Sequence, residues 1–167
     1  MADILVISAS DGNNLELAEL FSSTGSKMGH EMSVLELGSL DLPLFTPQLL
    51  STAGAPAGLA TLEGEMSQAD GWVVCAPEYN GSMPPTLNNA IAWLSTEGSD
   101  FRSLFNATPV ALATYSGGGG TNVIAAMRMQ FSYLGSNVIG RSVVANSNKA
   151  ANPEAVTALI EQLVTMS

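Results

Sequence analysis

The chain has 167 residues, of which 46% are hydrophobic, and its formal net charge is −10. This length predicts one domain, residues 1–167, with a core of its own. Phosphate backbones bind clustered Lys and Arg, and the sequence has only 5 such residues, so we expect no nucleic-acid partner. No apolar run approaches the roughly 18 residues of a membrane-spanning helix, so we expect no membrane partner either.

Two features of the sequence favour a cytoplasmic location. The single cysteine, Cys75, lies in a predicted buried strand and has no partner for an internal disulfide. The first residues, Met1-Ala2-Asp3, lack the basic segment of a signal peptide and lead directly into a strand. We therefore expect a cytoplasmic protein.

The first predicted element is a strand over residues 3–9, whose consecutive large apolar residues are typical of a parallel strand buried on both faces. The loop that follows, Ser8–Asn14, consists of small, hydroxylic and turn-forming residues and leads into an amphipathic helix. Hydroxyls and free backbone N–H groups at a helix start form phosphate sites. The alternative is a helix that is merely capped by Asp11 or Asn13.

A second strand is predicted over residues 31–37, and the segment after it looks irregular. Residues 41–47 contain two prolines, which argues against a regular element there. Residues 51–56 are rich in Ala, Gly, Ser and Pro and predict a flexible connection. Apolar residues at helical spacing then predict a short helix over residues 59–68.

The next stretch carries the strongest local signals. Residues 71–76 predict a buried strand, and an exposed turn follows over residues 78–83, where Asn80 and Gly81 both tolerate positive φ. Two prolines then suit the first turn of a helix that continues to about Leu94. This order directs free N–H groups to the space above the strand end. A plain strand–turn–helix crossover is the alternative.

A fourth strand is predicted over residues 108–115, and four consecutive glycines, Gly117–Gly120, follow Ser116. Each glycine loses much conformational entropy on folding, so such a run is explained where the backbone must approach a flat ligand closely. A glycine-rich hinge without a ligand is the alternative. A fifth strand is expected over residues 137–145, followed by a helix that begins near Pro153.

The stretch Pro77–Ser95 resembles the flavin loop of the NADPH-dependent FMN reductase family. That family carries Pro-Glu-Tyr-Asn-Gly-Ser, then a Pro, Leu-Lys-Asn and an apolar-Asp-Trp-Leu. This sequence departs from the pattern at Asn88, where Lys is usual, and at Ala92, where Asp is usual. The loop Ser116–Gly119 resembles the family's Ser-x-Gly-Gly loop under the pyrimidine end of the flavin. The family also places an Asp-Leu-Pro-Leu segment at the site rim, so Phe45 is either a rim residue or a packed loop residue.

The first loop resembles a different family. FMN reductases carry Gly-Ser-x-Arg there, whereas this chain has Ala9-Ser10 and no arginine. Residues 12–18 instead follow the spacing of the flavodoxin motif Thr-x-Thr-Gly-Asn-Thr-x-x-x-Ala. Flavodoxins bind the FMN phosphate with hydroxyls and the helix start, without a cation, so a phosphate site does not need the arginine. A related chain that binds FMN weakly or has lost activity is a further possibility.

Together these resemblances imply an α/β, flavodoxin-like three-layer sandwich around a five-stranded parallel sheet of order 2-1-3-4-5. Ligands of this fold bind at the carboxyl ends of strands 1, 3 and 4, where all three unusual loops fall. The implied cofactor is FMN, with its phosphate in the first loop and its ring against the other two. The implied cofactor-binding residues are Ser8, Ser10, Gly12, Asn13, Asn14 and Leu15 in the first loop, Pro77, Glu78, Tyr79, Asn80, Gly81 and Ser82 in the second, and Ser116, Gly117, Gly118 and Gly119 in the third. No catalytic side chain and no metal site is expected.

The implied function is that of an FMN-dependent NAD(P)H oxidoreductase. A hydride from NADPH or NADH would pass through the flavin N5 atom to a small-molecule electron acceptor, namely a flavin, quinone or azo compound. The reductase resemblance also implies a homodimer or homotetramer. The first loop and the acidic charge instead favour a flavodoxin-like one-electron carrier, which is the alternative function.

Overall fold

The computed structural model describes residues 1–167 and contains five strands and six α-helices. The strands are β1 (Asp3–Ser8), β2 (Glu31–Glu36), β3 (Gly71–Cys75), β4 (Pro109–Tyr115) and β5 (Asn137–Ala145). The helices are α1 (Asn13–Lys27), α2 (Pro47–Ala53), α3 (Ala57–Gln68), α4 (Pro85–Leu94), α5 (Thr121–Leu134) and α6 (Pro153–Met166), and short 3₁₀ turns lie at Leu37–Leu40 and Phe101–Leu104. None of the helices combines the length and the hydrophobicity that a membrane span requires.

All strands pair in parallel, and their order in the sheet is β2-β1-β3-β4-β5. This confirms the fold and the strand order that were predicted from the sequence. Ser8 of β1 is in register with Cys75 of β3, which is in turn in register with Ala113 of β4. The three central strands therefore end at nearly the same level, and the loops that follow them start side by side.

Alternate residues of the central strands enter two separate cores. Leu5 and Ile7 of β1 belong to a core built with α3, α4 and α5, whereas Ile4 and Val6 belong to a core built with α1 and α6. Because successive side chains of a strand point to opposite faces, both faces of the sheet are covered by helices. The result is the predicted three-layer arrangement.

The segment between β2 and α3 is more regular than its sequence predicts. Pro47 does not prevent a helix but begins one: it occupies the first position of α2, where a missing N–H is tolerated. The Thr46 hydroxyl caps this helix by accepting a hydrogen bond from the Leu49 N–H at 3.0 Å. Residues 51–53, expected to be flexible, form the last turn of α2.

The lone cysteine is part of the core. Cys75 is fully buried among the apolar residues of the α1 and α6 side of the sheet. Burial raises the pKa of its thiol, because the thiolate would lose its hydration. The thiol therefore stays protonated at neutral pH and is not a nucleophile in the folded protein.

Candidate active site

Three loops meet at the carboxyl edge of the sheet, as predicted. The first loop, residues 8–15, is defined here to include the last residue of β1 and the first three residues of α1. The second, residues 77–84, lies between β3 and α4, and the third, residues 116–120, lies between β4 and α5. β1 and β3 are neighbours whose following helices, α1 and α4, lie on opposite faces of the sheet. That is the point of a doubly wound sheet at which a crevice opens between the loops.

The first loop presents a row of free backbone donors. No N–H group from Ser10 to Leu15 donates a hydrogen bond to another protein group. Ser8 is buried and its hydroxyl donates to the Ser10 carbonyl at 2.6 Å, which folds the loop back on itself. Gly12, with φ of 69°, is the N-cap residue of α1 and no side chain caps the helix, so the alternative of a helix capped by Asp11 or Asn13 is wrong.

The second loop is a tight turn whose tip carries two positive φ angles. Tyr79 and Ser82 exchange two backbone hydrogen bonds of 3.0 and 3.1 Å, and Asn80 and Gly81 between them have φ of 52° and 76°. The Ser82 N–H is therefore occupied, and the donors left free at the tip are those of Asn80 and Gly81. Pro77, at the base of the turn, is buried, whereas the Tyr79 side chain is half exposed.

The third loop exposes bare backbone. Gly117, Gly118 and Gly119 are exposed, and a Cβ atom added to Gly117 or Gly118 would meet nothing within 4 Å. Their N–H groups donate to no protein acceptor. Beneath them the hydroxyl of Ser116 is buried and has no hydrogen-bond partner. An unpaired buried hydroxyl beside free N–H groups is a feature that a bound polar ligand would satisfy.

Two of the predicted ligand side chains turn inward and tie loops together. The Asn14 side chain, which is 3% exposed, donates to the Tyr115 carbonyl and accepts from the Tyr115 N–H, both at 2.9 Å. The Glu78 carboxylate accepts from the N–H groups of Asn122 and Val123 at 3.0 and 3.1 Å. Asn14 thus fixes the first loop to the third, and Glu78 fixes the second loop to the start of α5.

A third hydrogen bond links the start of α4, which follows the second loop, to the first loop. The Thr86 hydroxyl, in the first turn of α4, donates a hydrogen bond to the carbonyl of Ala9 in the first loop. The three ties therefore link each loop to the strand end or helix start that borders a neighbouring loop. Of these tying residues, Thr86 is one that the sequence prediction missed.

The segment after β2 is held at the rim by α4. Asn89 donates to the carbonyls of Leu42 and Pro43 at 3.2 and 3.0 Å and accepts from the Phe45 N–H at 2.8 Å, and the Trp93 indole donates to the Pro43 carbonyl at 2.7 Å. The half-buried Phe45 ring packs edge-on against Trp93, with ring centres 5.1 Å apart. Phe45 is thus a packed residue of the rim segment. Phe45 lies 44 residues before Asn89 in the sequence. Residue spacing alone therefore could not decide between a rim residue and a packed loop residue.

The model of the NADPH-dependent FMN reductase family matches residues 2–151 of the chain. A quinone reductase of Escherichia coli (strain K12) is 45% identical over 65 residues, which are 38% of this chain and 35% of the relative. An NADPH azoreductase of Bacillus sp. (strain OY1-2) is 30% identical over 116 residues, 68% of this chain and 61% of the relative. The first of these matches therefore spans about a third of the relative's length.

Solved structures with this fold include an NAD(P)H:(acceptor) oxidoreductase and a flavodoxin. The flavoenzyme NAD(P)H:(acceptor) oxidoreductase of Paracoccus denitrificans superposes with a TM-score of 0.75 at 20% identity, covering 99% of this chain and 95% of that one. An archaeal flavodoxin superposes with a TM-score of 0.62 at 12% identity, covering 98% of each chain. At these identities the likeness establishes the flavodoxin-like fold alone.

The hydrogen bonds between Asn14 and Tyr115 predict that replacing Asn14 destabilises the protein much more than replacing its neighbour Asn13. In Asn14→Leu the partly buried N–H and carbonyl of Tyr115 both lose their partner, so the free energy of unfolding should fall by about 2–4 kcal/mol. In the matched control Asn13→Leu, at an exposed position without a side-chain hydrogen bond, it should change by less than about 0.5 kcal/mol. Urea unfolding measures both. Equal losses of unfolding free energy in the two variants would show that the Asn14 side chain does not stabilise the fold through Tyr115.

Proposed function

The chain belongs to the NADPH-dependent FMN reductase family, and we propose that it is an FMN-dependent NAD(P)H oxidoreductase acting on a small-molecule acceptor. The observation that carries this proposal is the meeting of three loops with free N–H groups at one edge of the sheet. Similarity to a quinone reductase and to an NADPH azoreductase supports quinones and azo compounds as acceptors, beside free flavin. Bound FMN would supply the redox chemistry, taking a hydride at N5 and giving electrons to the acceptor.

The first loop fits a phosphate without needing an arginine. The N–H groups of residues 10–15 have no protein acceptor, and three of them belong to the first turn of the 15-residue helix α1. Such a helix start carries partial positive charge and stabilises an anion. The hydroxyl of Ser10 and the exposed backbone of Gly12 and Asn13 complete the proposed FMN phosphate site.

The second and third loops fit a flat ring. The free N–H groups of Asn80 and Gly81 would donate to the polar edge of the flavin, and Gly117–Gly119 would lie along its pyrimidine end with no side chain in the way. The buried hydroxyl of Ser116, which has no hydrogen-bond partner in the protein, would bond to that end of the ring. Ser82 and Pro77 would shape the turn, and the exposed Tyr79 would flank the ring.

The chain's own part in the reaction is to bind and orient. The Glu78 carboxylate accepts from two amides of α5 through its Oε2 atom and thereby holds the second loop in place. The Cys75 thiol is buried and protonated. No acid–base role is assigned to a side chain. Electron transfer would depend on how the loops position FMN and the nicotinamide.

A homodimer or homotetramer is part of the same proposal. Met129 and Tyr133 lie one helical turn apart on α5, and both are 73% exposed. The Arg102 guanidinium stacks over the Tyr133 ring at 4.9 Å. Met, Tyr and Arg are the residue types enriched at protein interfaces, and this exposed cluster supports self-association.

A one-electron carrier is the second candidate function. The first loop has the flavodoxin spacing and no arginine, and the net charge of −10 resembles that of an acidic carrier that docks on basic partners. The two candidates differ in whether a nicotinamide can react directly with the bound flavin.

A substitution in the glycine-rich third loop tests FMN binding without altering the stability of the fold. Gly118→Val places a side chain in open space, where it should leave stability unchanged but obstruct the ring, so FMN affinity should fall by about tenfold or more. The matched control is Gly140→Val in β5, which is also exposed with nothing within 4 Å of its Cβ position. Fluorescence titration with FMN measures both. Equal affinities would contradict the proposed ring site.

The oxidoreductase proposal is tested by an anaerobic absorbance titration of the FMN-loaded protein with NADH and with NADPH. Loss of the visible flavin band on addition of a stoichiometric amount of either nucleotide is the expected result. If neither nucleotide bleaches the band while dithionite does, the reductase proposal is wrong and the carrier is favoured.

A further inference from the structure

A tight turn after β5, residues 146–149, stands beside the third loop at the carboxyl edge of the sheet. β4 and β5 are neighbours, and the N–H of Ser116, just after β4, donates to the carbonyl of Ala145, the last residue of β5, at 3.1 Å. The turn therefore leaves the sheet at the level at which the third loop begins. The Asn146 side-chain amide donates to the Gly118 carbonyl at 3.4 Å and joins the two segments.

The backbone of the turn fixes which side chains share a face. Asn146 and Lys149 exchange two backbone hydrogen bonds of 2.8 and 3.0 Å, and the Asn146 side chain also accepts from the Asn148 N–H at 2.9 Å. Residues that exchange both bonds in an antiparallel pair stand opposite each other, with Cβ atoms about 5 Å apart on the same face. The face that carries Asn146 toward Gly118 therefore carries Lys149 as well.

The Lys149 side chain reaches farther than its neighbour on that face. It has a flexible four-carbon stem that ends in a compact positive charge, whereas the amide of Asn146 follows a single methylene. Lys149 is exposed, and the hydrogen bonds of the turn use only backbone groups and the Asn146 side chain. The ammonium is therefore free to extend over Gly118, where the shorter amide already makes contact.

Lys149 is the one fixed cation beside the third loop. The other four are Lys27 at the end of α1, Arg102 in the 3₁₀ turn before β4, Arg128 on α5 and Arg141 within β5. The first two precede the start of a strand and so lie at the opposite, amino edge of the sheet. The guanidinium of Arg128 is held by two carbonyls of β5, at 2.7 and 3.2 Å.

We propose that Lys149 compensates the negative charge that the bound flavin gains on reduction and thereby raises its two-electron potential. The inference rests on the proposed oxidoreductase function and adds an electrostatic role for one side chain. A hydride consists of two electrons and one proton, so its transfer leaves the nicotinamide with one positive charge and gives the neutral ring one negative charge. The polar atoms of the pyrimidine end share that charge, and a cation nearby stabilises the charged form over the neutral one.

The acidic character of the chain makes this compensation matter. The net charge of −10 opposes the addition of another negative charge. Carboxylates farther away than roughly 8 Å are largely screened at physiological ionic strength. The Glu78 carboxylate lies at the start of α5, where two N–H donors and the helix dipole offset its charge. Lys149 is thus the group that makes the local field at the third loop favourable to the reduced ring.

The test is the two-electron midpoint potential of FMN bound to the protein, measured by spectroelectrochemical titration with a reference dye and without nicotinamide. Lys149→Met removes the charge and keeps an unbranched side chain. The ratio of the affinities for reduced and oxidised FMN should fall about threefold to tenfold. Because a tenfold change equals about 30 mV for a two-electron couple, the potential should fall by about 15–30 mV. The shift should diminish at high salt.

Two control variants separate the charge from the structure of the turn. Lys149→Arg keeps the positive charge and should retain the potential. Lys27→Met removes one exposed cation at the opposite edge of the sheet, which changes the net charge equally, and it should leave the potential nearly unchanged.

Three results would overturn the inference: an unchanged potential in Lys149→Met, an equal fall in Lys27→Met, or a fall in Lys149→Arg as large as that in Lys149→Met. Absence of FMN binding would overturn it together with the proposed site. Failure of the oxidoreductase proposal alone looks different. Neither NADH nor NADPH would then reduce the flavin, while the dye titration, which uses no nicotinamide, still decides whether Lys149 sets the potential.

Discussion

The candidate site depends on side chains of one loop hydrogen-bonding the backbone of another. Asn14 holds Tyr115, Glu78 holds the start of α5, and Thr86 holds Ala9. Loops rich in glycine lose much entropy when they are ordered, and the third loop would be mobile without such restraints. Because these bonds form within the protein, the loops are ordered before any ligand arrives, and less binding energy is spent on ordering them.

The sheet makes these bonds possible by bringing distant segments together. Asn14 and Tyr115 are 101 residues apart in sequence, yet their loops leave strands that are separated by β3 alone. The central strands are buried on both faces, which fixes their level and direction. Because the strand ends are aligned, one or two hydrogen bonds from a polar side chain are enough to hold each loop in place. The proposed phosphate and ring sites both lie along this one edge.

The sequence was sufficient to predict the architecture because its signals are local and periodic. Continuous apolar strands, turn dipeptides and helix starts recur in the order of a doubly wound sheet, and their fold and strand order are confirmed. The roles of individual side chains were harder to predict. Asn14 and Glu78 were expected to bind the cofactor, whereas their side chains bind backbone far away in sequence, which no local pattern encodes. One feature of the sequence did indicate that the Asn14 side chain is buried: it lies three residues before Leu17, at helical spacing, on the buried face of α1. α2 was missed because Pro47 was taken as a helix breaker.

FMN binding by the three tied loops is tested most directly by comparing amide NMR spectra of the protein with and without FMN. The largest shifts are predicted at the free N–H groups of residues 10–15, 80–81 and 117–119, with the amides of Tyr115, Asn122 and Val123 little changed because they are already bonded. Shifts concentrated at the opposite edge of the sheet, or no shifts at saturating FMN, would contradict the site.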